Sequence, residues 1–441
     1  MHALTPYQTE IARAVLDSVL HERGLTLTVE IACGAGVREL SSQLEMLLLG
    51  LHVNQGVRLL RVCSHDEDPA AGRLAAHLRQ SALRGLWSVR GDAVRLGRAE
   101  VRSVVPERVR TAQGPIGLLE VFDAEALDDA ALEHLRRLAE ASGATTVLYG
   151  TAWTGETPFE SCKQANRDLE AADGIRRHFR VPWRQAAAEL PGYAERVEEA
   201  RLHLGEAHPE FQARYELHPV PAFGPLLPEE QLRGLDGDHA RLHAPVPGMA
   251  TVASIAVTRL PSPASPGATA VVTIAERAPN ALRVVEHRWL EAISVGALAD
   301  GLAQIVGETW HCERAVADVA STTTAADQLR HLLDRALGRR VLTWVRHGQT
   351  DDAVRALELM AAAHTGRLRL YHADGSPEYR VLHHELGTAV AAFGPDGALS
   401  VEHALPAEGF VHGLLLLADE LRHDAAGTPL AAPEPEAALA S

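Results

Sequence analysis

LTLTVEIACGAGVRELSSQLEMLLL, residues 25–49, carries three patterns in succession. Residues 25–32 are apolar and β-branched, which predicts a buried strand. Cys33-Gly34-Ala35-Gly36 is a glycine turn, and residues 38–49 predict a helix. Strand, glycine turn and helix in that order serve either as a phosphate-binding loop, where backbone N–H groups and a helix N-terminus hold phosphates, or as a plain tight turn. Upstream, Thr5 can cap a helix over residues 6–21, with Ile11, Val15 and Val19 at helical spacing. Downstream, strands are predicted at 57–63, 116–122 and 145–149, helices at 69–83 and 128–142, and two short β segments within 93–105. Strands alternating with helices predict a parallel, doubly wound sheet.

A polar, helical stretch is expected over residues 155–215. Proline and glycine gather at 219–228 and 245–248 and mark a linker. Beyond it, strands are predicted at 251–258, 268–275, 281–290 and 314–319, with helices at 294–307, 325–338 and 352–365. The expected organisation is a first α/β domain over 1–222, a linker over 223–247, a second α/β domain over 248–425 and a low-complexity, disordered tail over 426–441.

The 441 residues hold 42 Lys+Arg against 58 Asp+Glu, a formal charge of −16, which argues against non-specific coating of DNA by the whole surface. Arginines cluster at 84–110, 176–180 and 330–346, as solvated helix faces or as a local basic channel. Aromatic residues make up 4%, too few for a stacking surface for single strands. Four cysteines without a C-x-x-C pair, no apolar run near the ~20 residues of a spanning helix, and no signal-peptide pattern predict a cytoplasmic protein with no membrane association. Lys163 is the only lysine in the chain.

That count bears on the chemistry. A phosphate loop ordinarily ends in Lys-Ser/Thr, for the outer phosphates and for magnesium; here Val37 and Arg38 occupy those slots. A second candidate, residues 118–125, is an apolar strand running into Asp123 and Glu125. Carboxylates at such a strand end suit magnesium and water activation, or simply a helix N-terminus that favours negative charge. His311-Cys312-Glu313 and His383-His384 contain ligand types without metal-site spacing. Val345-Arg346-His347-Gly348 lies too deep in the second domain for a histidine-phosphatase motif.

Taken in order, these pieces resemble the large terminase subunit of tailed bacteriophages, the ATP-driven DNA-packaging motor with a nuclease domain. Thr5-Pro6-Tyr7-Gln8 resembles the adenine-recognising start, residues 36–45 the loop with its helix, and 118–125 the acidic motif. Tyr149-Gly150-Thr151-Ala152-Trp153-Thr154 resembles the coupling motif, residues 208–215 the end of the ATPase region, and 365–379 the late nuclease segment. The resemblance implies an N-terminal P-loop-ATPase-like doubly wound parallel sheet and a C-terminal ribonuclease H-like mixed α/β domain. It implies ATP and Mg²⁺ as cofactors, and double-stranded DNA, the portal protein and the small terminase subunit as partners. By the same resemblance Tyr7, Gln8, Gly34, Gly36 and Arg38 are the nucleotide-binding positions, Gly150 and Thr151 the coupling pair, Asp123 and Glu125 the ATPase acids, and Asp318 a nuclease acid and metal ligand.

The departures fall on the chemistry. The loop of active relatives, read as Arg-Gln-Ser-Gly-Lys, is here Cys33 to Val37, and the Asp-Glu pair is Phe122-Asp123 or lies one register away. The first nuclease aspartate corresponds to Ala256, the second to Asp318, and the late Asp-Asp pair to Val411-His412. The expected function is therefore a packaging-related protein with impaired ATPase and nuclease centres. The alternatives are a working motor that uses Arg38 and Asp123, and a repurposed small-molecule or scaffold protein that uses the cleft between the domains.

Overall fold

The computed structural model describes residues 3–63, 69–106, 116–262, 267–279, 281–319, 323–345, 349–394, 399–402 and 408–425. The expected disordered tail lies outside these residues, as do Arg346, His347 and Gly348.

The first half comprises α1 (Pro6–Leu20), β1 (Thr26–Ile31), α2 (Val37–Leu51), β2 (Arg58–Val62), α3 (Pro69–Gln80), β3 (Trp87–Arg90), β4 (Ala93–Leu96), β5 (Ala99–Val104), β6 (Ile116–Val121), α4 (Asp129–Ser142), β7 (Thr145–Gly150), α5 (Pro158–Asp173), β8 (His178–Val181), α6 (Trp183–Glu189), α7 (Tyr193–Leu204) and α8 (Pro209–Phe211). Eight strands form one sheet in the order β3-β4-β5-β2-β6-β7-β1-β8. From β5 to β8 every pairing is parallel, and β3 and β4 extend the sheet antiparallel. The core strands are buried on both faces, as a sheet covered by helices on both sides requires. In β1, Leu27, Val29 and Ile31 pack with α1 and α2, while Thr28 and Glu30 face α5 through Asn166 and Lys163.

The second half comprises β9 (Phe223–Pro225), α9 (Glu229–Leu235), β10 (Thr251–Arg259), β11 (Ala268–Ala278), β12 (Ala281–Ala292), α10 (Val295–Ala303), β13 (Arg314–Val319), α11 (Thr324–Leu337), β14 (Leu342–Trp344), α12 (Gln349–Thr365), β15 (Leu368–Arg369), α13 (Pro377–Thr388), β16 (Val390–Phe393), β17 (Leu399–Glu402) and α14 (Phe410–Ala425). Its main sheet runs β14-β13-β10-β11-β12-β15. The meander β10-β11-β12 is antiparallel, β13 joins β10 in parallel and β14 joins β13 in parallel. This is the ribonuclease H-like order.

Three expectations need correction. The stretch read as uniformly helical contains β8, a strand only because β1 offers it an edge: Phe179 and Val181 are buried on one face, while on the other His178 lies 3.0 Å from Thr28 Oγ1 and Arg180 is exposed. The stretch read as a linker contains β9 and α9, and β9 pairs with β16 in a three-stranded sheet with β17. The helix expected over 294–307 is α10 followed by a π-helical turn at 304–309. The halves share a core in which Trp153, Ala213 and Val220 pack with α12 and α14 residues. Trp153 Nε1 donates to Gly394 O at 2.9 Å, and the buried His208 donates through Nε2 to Leu357 O at 3.1 Å.

Candidate functional site

Because the core strands of the first sheet run parallel, their C-terminal ends lie along one edge, where ligands of such folds bind. There the turn after β1, the acids after β6 and Thr151 after β7 come together. In the turn, Gly34 and Gly36 take φ of +74° and +79°, and a Cβ on Gly36 would lie 2.7 Å from Gln8 Nε2. Glycine is therefore required on steric and conformational grounds. Thr5 and Gln8 form a capping box at the start of α1, which aims Gln8 Nε2 at Gly36 O, 3.0 Å away. Tyr7 OH donates to Ala35 O and Tyr193 OH to Cys33 O, both at 2.7 Å, while Cys33 N donates to Arg214 O at 2.9 Å. Tyr7 and Gln8 thus hold the turn by its carbonyls. Tyr193, from α7, was not visible as a partner in the sequence; burial pushes its phenol well up, so it stays a donor.

Arg38, in the first turn of α2, does not project along the turn. Its guanidinium lies 4.1 Å from the centre of the Phe122 ring, donates to Cys63 Sγ at 3.6 Å and sits 3.7 Å from Asp123 Oδ2. Asp123 is exposed, with φ of +52°. Glu125 accepts from Thr151 Oγ1 at 2.8 Å, and a Cβ on Gly150 would meet Glu125 Oε2 at 2.5 Å, so glycine makes room for the carboxylate. Burial, then the charge of Asp123, push the Glu125 carboxyl up to about 7. Lys163 is buried and paired with Glu30 and Glu160, on the side of β1 that faces α5 rather than α2. Behind α2 lies a polar group that the sequence did not reveal. Arg61 and Glu45 form a fully buried ion pair, and Tyr149 OH donates to Glu120 Oε1 at 3.0 Å. Burial holds the Glu120 carboxyl above the usual range, against the charge of Arg61.

The constellation lacks the groups that ordinarily hold the outer phosphates and magnesium. The slot that needs a cation holds Val37, the hydroxyl slot holds Arg38, and the one lysine is locked behind the strand.

The second sheet presents the other candidate edge. Ala256 on β10 pairs in register with Asp318 on β13. His412, in the first turn of α14, donates through Nε2 to Asp318 Oδ2 at 2.6 Å. Glu385 fixes that helix start, accepting from the backbone N–H groups of Glu408, Gly409 and Val411. The fold therefore brings together Ala256, Asp318 and His412, the positions that the resemblance sets against nuclease acids, as an alanine, a buried aspartate and a histidine. Two metal ions about 4 Å apart need several carboxylates, and this trio does not fit them. Among the described residues no group of three His, Cys, Asp or Glu side chains is placed to hold a metal ion. His383 contacts Asp236, at 3.1 Å, and His311 contacts Gly307 O, at 2.9 Å.

No family model and no curated protein matches the sequence. Solved structures do match. The large terminase from a thermophilic bacteriophage superposes with a TM-score of 0.59 and 9% identity, over 94% of this chain and 99% of that one. This chain has the large-terminase fold. The same phage's large terminase in complex with ADP gives a TM-score of 0.58 at 9% identity, and its complex with ATP-γ-S 0.56 at 10%, each over 94% of this chain and 99% of that one. At such identities the likeness is one of fold. It extends across both halves, so the terminase-type architecture expected from the sequence is the one observed. Among the described residues no helix is long and apolar enough to cross a membrane.

Proposed function

We propose that this chain is a terminase-type protein of DNA packaging whose ATPase and nuclease centres are both impaired. The observation that carries the reading is the position of Lys163. The only cation of its kind is paired with Glu30 and Glu160 on the far side of β1, so the turn at Cys33–Gly36 has no lysine to offset phosphate charge. A contact of that kind is worth several kcal/mol in a transition state. At the second edge, a single carboxylate already engaged by His412 leaves metal-dependent cleavage without its ligand set. The partners that go with this reading are double-stranded DNA, the portal protein and the small terminase subunit, in the cytoplasm of a host cell.

A second reading, nucleotide binding without turnover, is favoured by the retained turn: alternating left-handed glycines at the start of a 15-residue helix keep the backbone shape that receives phosphates. Steady-state hydrolysis assays with ATP and Mg²⁺ test the proposal. The expected result is no turnover above background in the unsubstituted chain and no change in Asp123→Ala. Magnesium-dependent turnover that disappears in Asp123→Ala overturns the impaired-ATPase reading, and manganese-dependent plasmid nicking that disappears in Asp318→Ala overturns the impaired-nuclease reading.

A further inference from the structure

At the N-terminal edge of the first sheet, opposite the glycine turn, three strands place arginines around one carboxylate. Arg58 on β2 pairs in register with Glu100 on β5, and Glu100 pairs in register with Arg95 on β4. The three side chains therefore stand in a row on one face of the sheet. Arg102, two residues beyond Glu100, projects from the same face. Glu100 accepts from Arg58 Nε at 2.7 Å and from Arg95 Nε at 2.9 Å, and Arg102 Nη2 lies 3.7 Å away.

A surface cleft of about 340 Å³ opens over this row, lined by Gly56, Arg58, Arg95, Gly97, Arg98 and Glu100. Its wall is shaped by the tight β4–β5 turn. Gly97 has φ of +58°, a Cβ there would lie 2.5 Å from Val53 O, and Arg98 N donates to Val53 O at 2.7 Å. The backbone thereby fixes the Arg98 position at the cleft. Arg98 pairs with no carboxylate among the described residues, and the buried Arg102 Nε–H has no hydrogen-bond partner among them. Burial pushes the Glu100 carboxyl up, but the bond from Arg58 and the charges of Arg58, Arg102 and Arg95 hold it below its ordinary value, so the group stays an anion. One negative charge faces four positive ones, in a chain whose total is −16.

We propose that this cleft is a binding site for a phosphate group, presented either by the backbone of duplex DNA or by a free polyphosphate. Guanidinium forks match phosphate oxygens two at a time, and Glu100 orients Arg58 and Arg95 by their Nε atoms, which leaves their terminal nitrogens for the ligand. The site shares no residue with the glycine turn or the Asp318 edge, so its fate is independent of whether ATP is hydrolysed.

The test compares the full-length chain with Arg95→Gln/Arg98→Gln. Both arginines are substantially exposed, and circular dichroism checks that the variant is folded. One arm follows a short labelled duplex by fluorescence anisotropy across a salt series; the other follows sodium tripolyphosphate by calorimetry. If the DNA backbone is the source, the variant binds duplex about tenfold more weakly and its log K against log salt slope falls by about two. If a free phosphate is the source, the duplex curves coincide and tripolyphosphate affinity falls about tenfold instead. Equal affinities of variant and parent for both ligands, or no binding of either ligand by the parent, overturn the proposal. Arg98→Glu alone is the second variant, with the same direction expected at an exposed position.

Discussion

The two candidate edges of this molecule depart from the terminase pattern in different ways. At the first, the turn of Cys33 to Gly36 keeps its shape because neutral groups hold it: Tyr193, Tyr7 and Gln8 donate to its carbonyls, and two glycines satisfy its backbone angles. No charged side chain is needed for the turn to form. At the second, strand pairing sets Ala256 beside Asp318, and Glu385 holds the helix that delivers His412. There the backbone brings Asp318 and His412 together. On the proposed reading, the first edge keeps a glycine turn while the lysine is paired elsewhere, and the second keeps Asp318 paired with His412. The first turn is held by neutral donors, whereas the second helix start is held by the Glu385 carboxylate.

The predictions strain this comparison, beginning with the largest effect. Lys163→Met removes the cation between two shielded carboxylates, and breaking such a buried pair costs roughly 3–5 kcal/mol. Urea denaturation should show that loss, while ligand binding at the Cys33–Gly36 turn is unchanged. Loss of nucleotide binding at unchanged stability would instead make Lys163 part of the turn's machinery.

Glu125 comes next. Its carboxyl is raised to about 7 from an ordinary 4.5, so the stability it contributes is fully present below about pH 4.5 and lost as pH rises through about 7. Glu125→Gln, permanently neutral, should therefore gain on the parent as pH climbs from 4.5 to 7.5, by roughly 1–3 kcal/mol in denaturation curves. A constant difference across that window would show that Glu125 is not held in its neutral form. His208, between the halves, runs the other way. Burial lowers its value to about 3 from 6.5, so its contribution is present above pH 6.5 and lost as pH falls toward 3. Amide protection factors near the Leu357 contact, taken against intrinsic rates at each pH, should fall across that lower window; protection that stays flat would detach His208 from the joint.

At the second edge the effect is smaller. Asp318→Ala leaves His412, whose side chain is 36% exposed and can turn to water, so the cost is about 1–2 kcal/mol. A larger loss would mean that the pair is a structural keystone. Smallest is Arg38→Gln, which gives up an ion pair at 3.7 Å with a half-exposed Asp123 and the contact with Phe122, on the order of 1 kcal/mol or less. A thermal-shift difference beyond a few degrees would contradict it.

Much of the architecture was legible where one segment carries its own pattern. The apolar runs of β1, β2, β6 and β7 and the amphipathic helices between them predict the parallel sheet. β8 escaped because His178-Phe179-Arg180-Val181 sits in a basic, helix-like stretch and becomes a strand only against β1. β9 and α9 escaped because proline and glycine mask elements that exist by pairing with β16 and packing on α12. The buried Arg61–Glu45 pair left a trace, a charge inside the apolar run Leu59-Leu60-Arg61-Val62, but its partner lies 16 residues away on another element. Tyr193 left none, since its bond to Cys33 O spans 160 residues. The convergence of Ala256, Asp318 and His412 was legible only through the family resemblance, because nothing local marks an alanine as a position of interest.

The central claim is that the backbone of a phosphate-binding turn is present and its cation is not. Titration of ATP with Mg²⁺ into the parent chain and into Val37→Lys, followed by calorimetry side by side, tests it most directly. The restored lysine should tighten binding by about tenfold or more over a parent that binds weakly or not at all, since one charged contact to phosphate is worth about 1.5–3 kcal/mol. Tight, magnesium-dependent binding by the parent that Val37→Lys leaves unchanged would contradict the account.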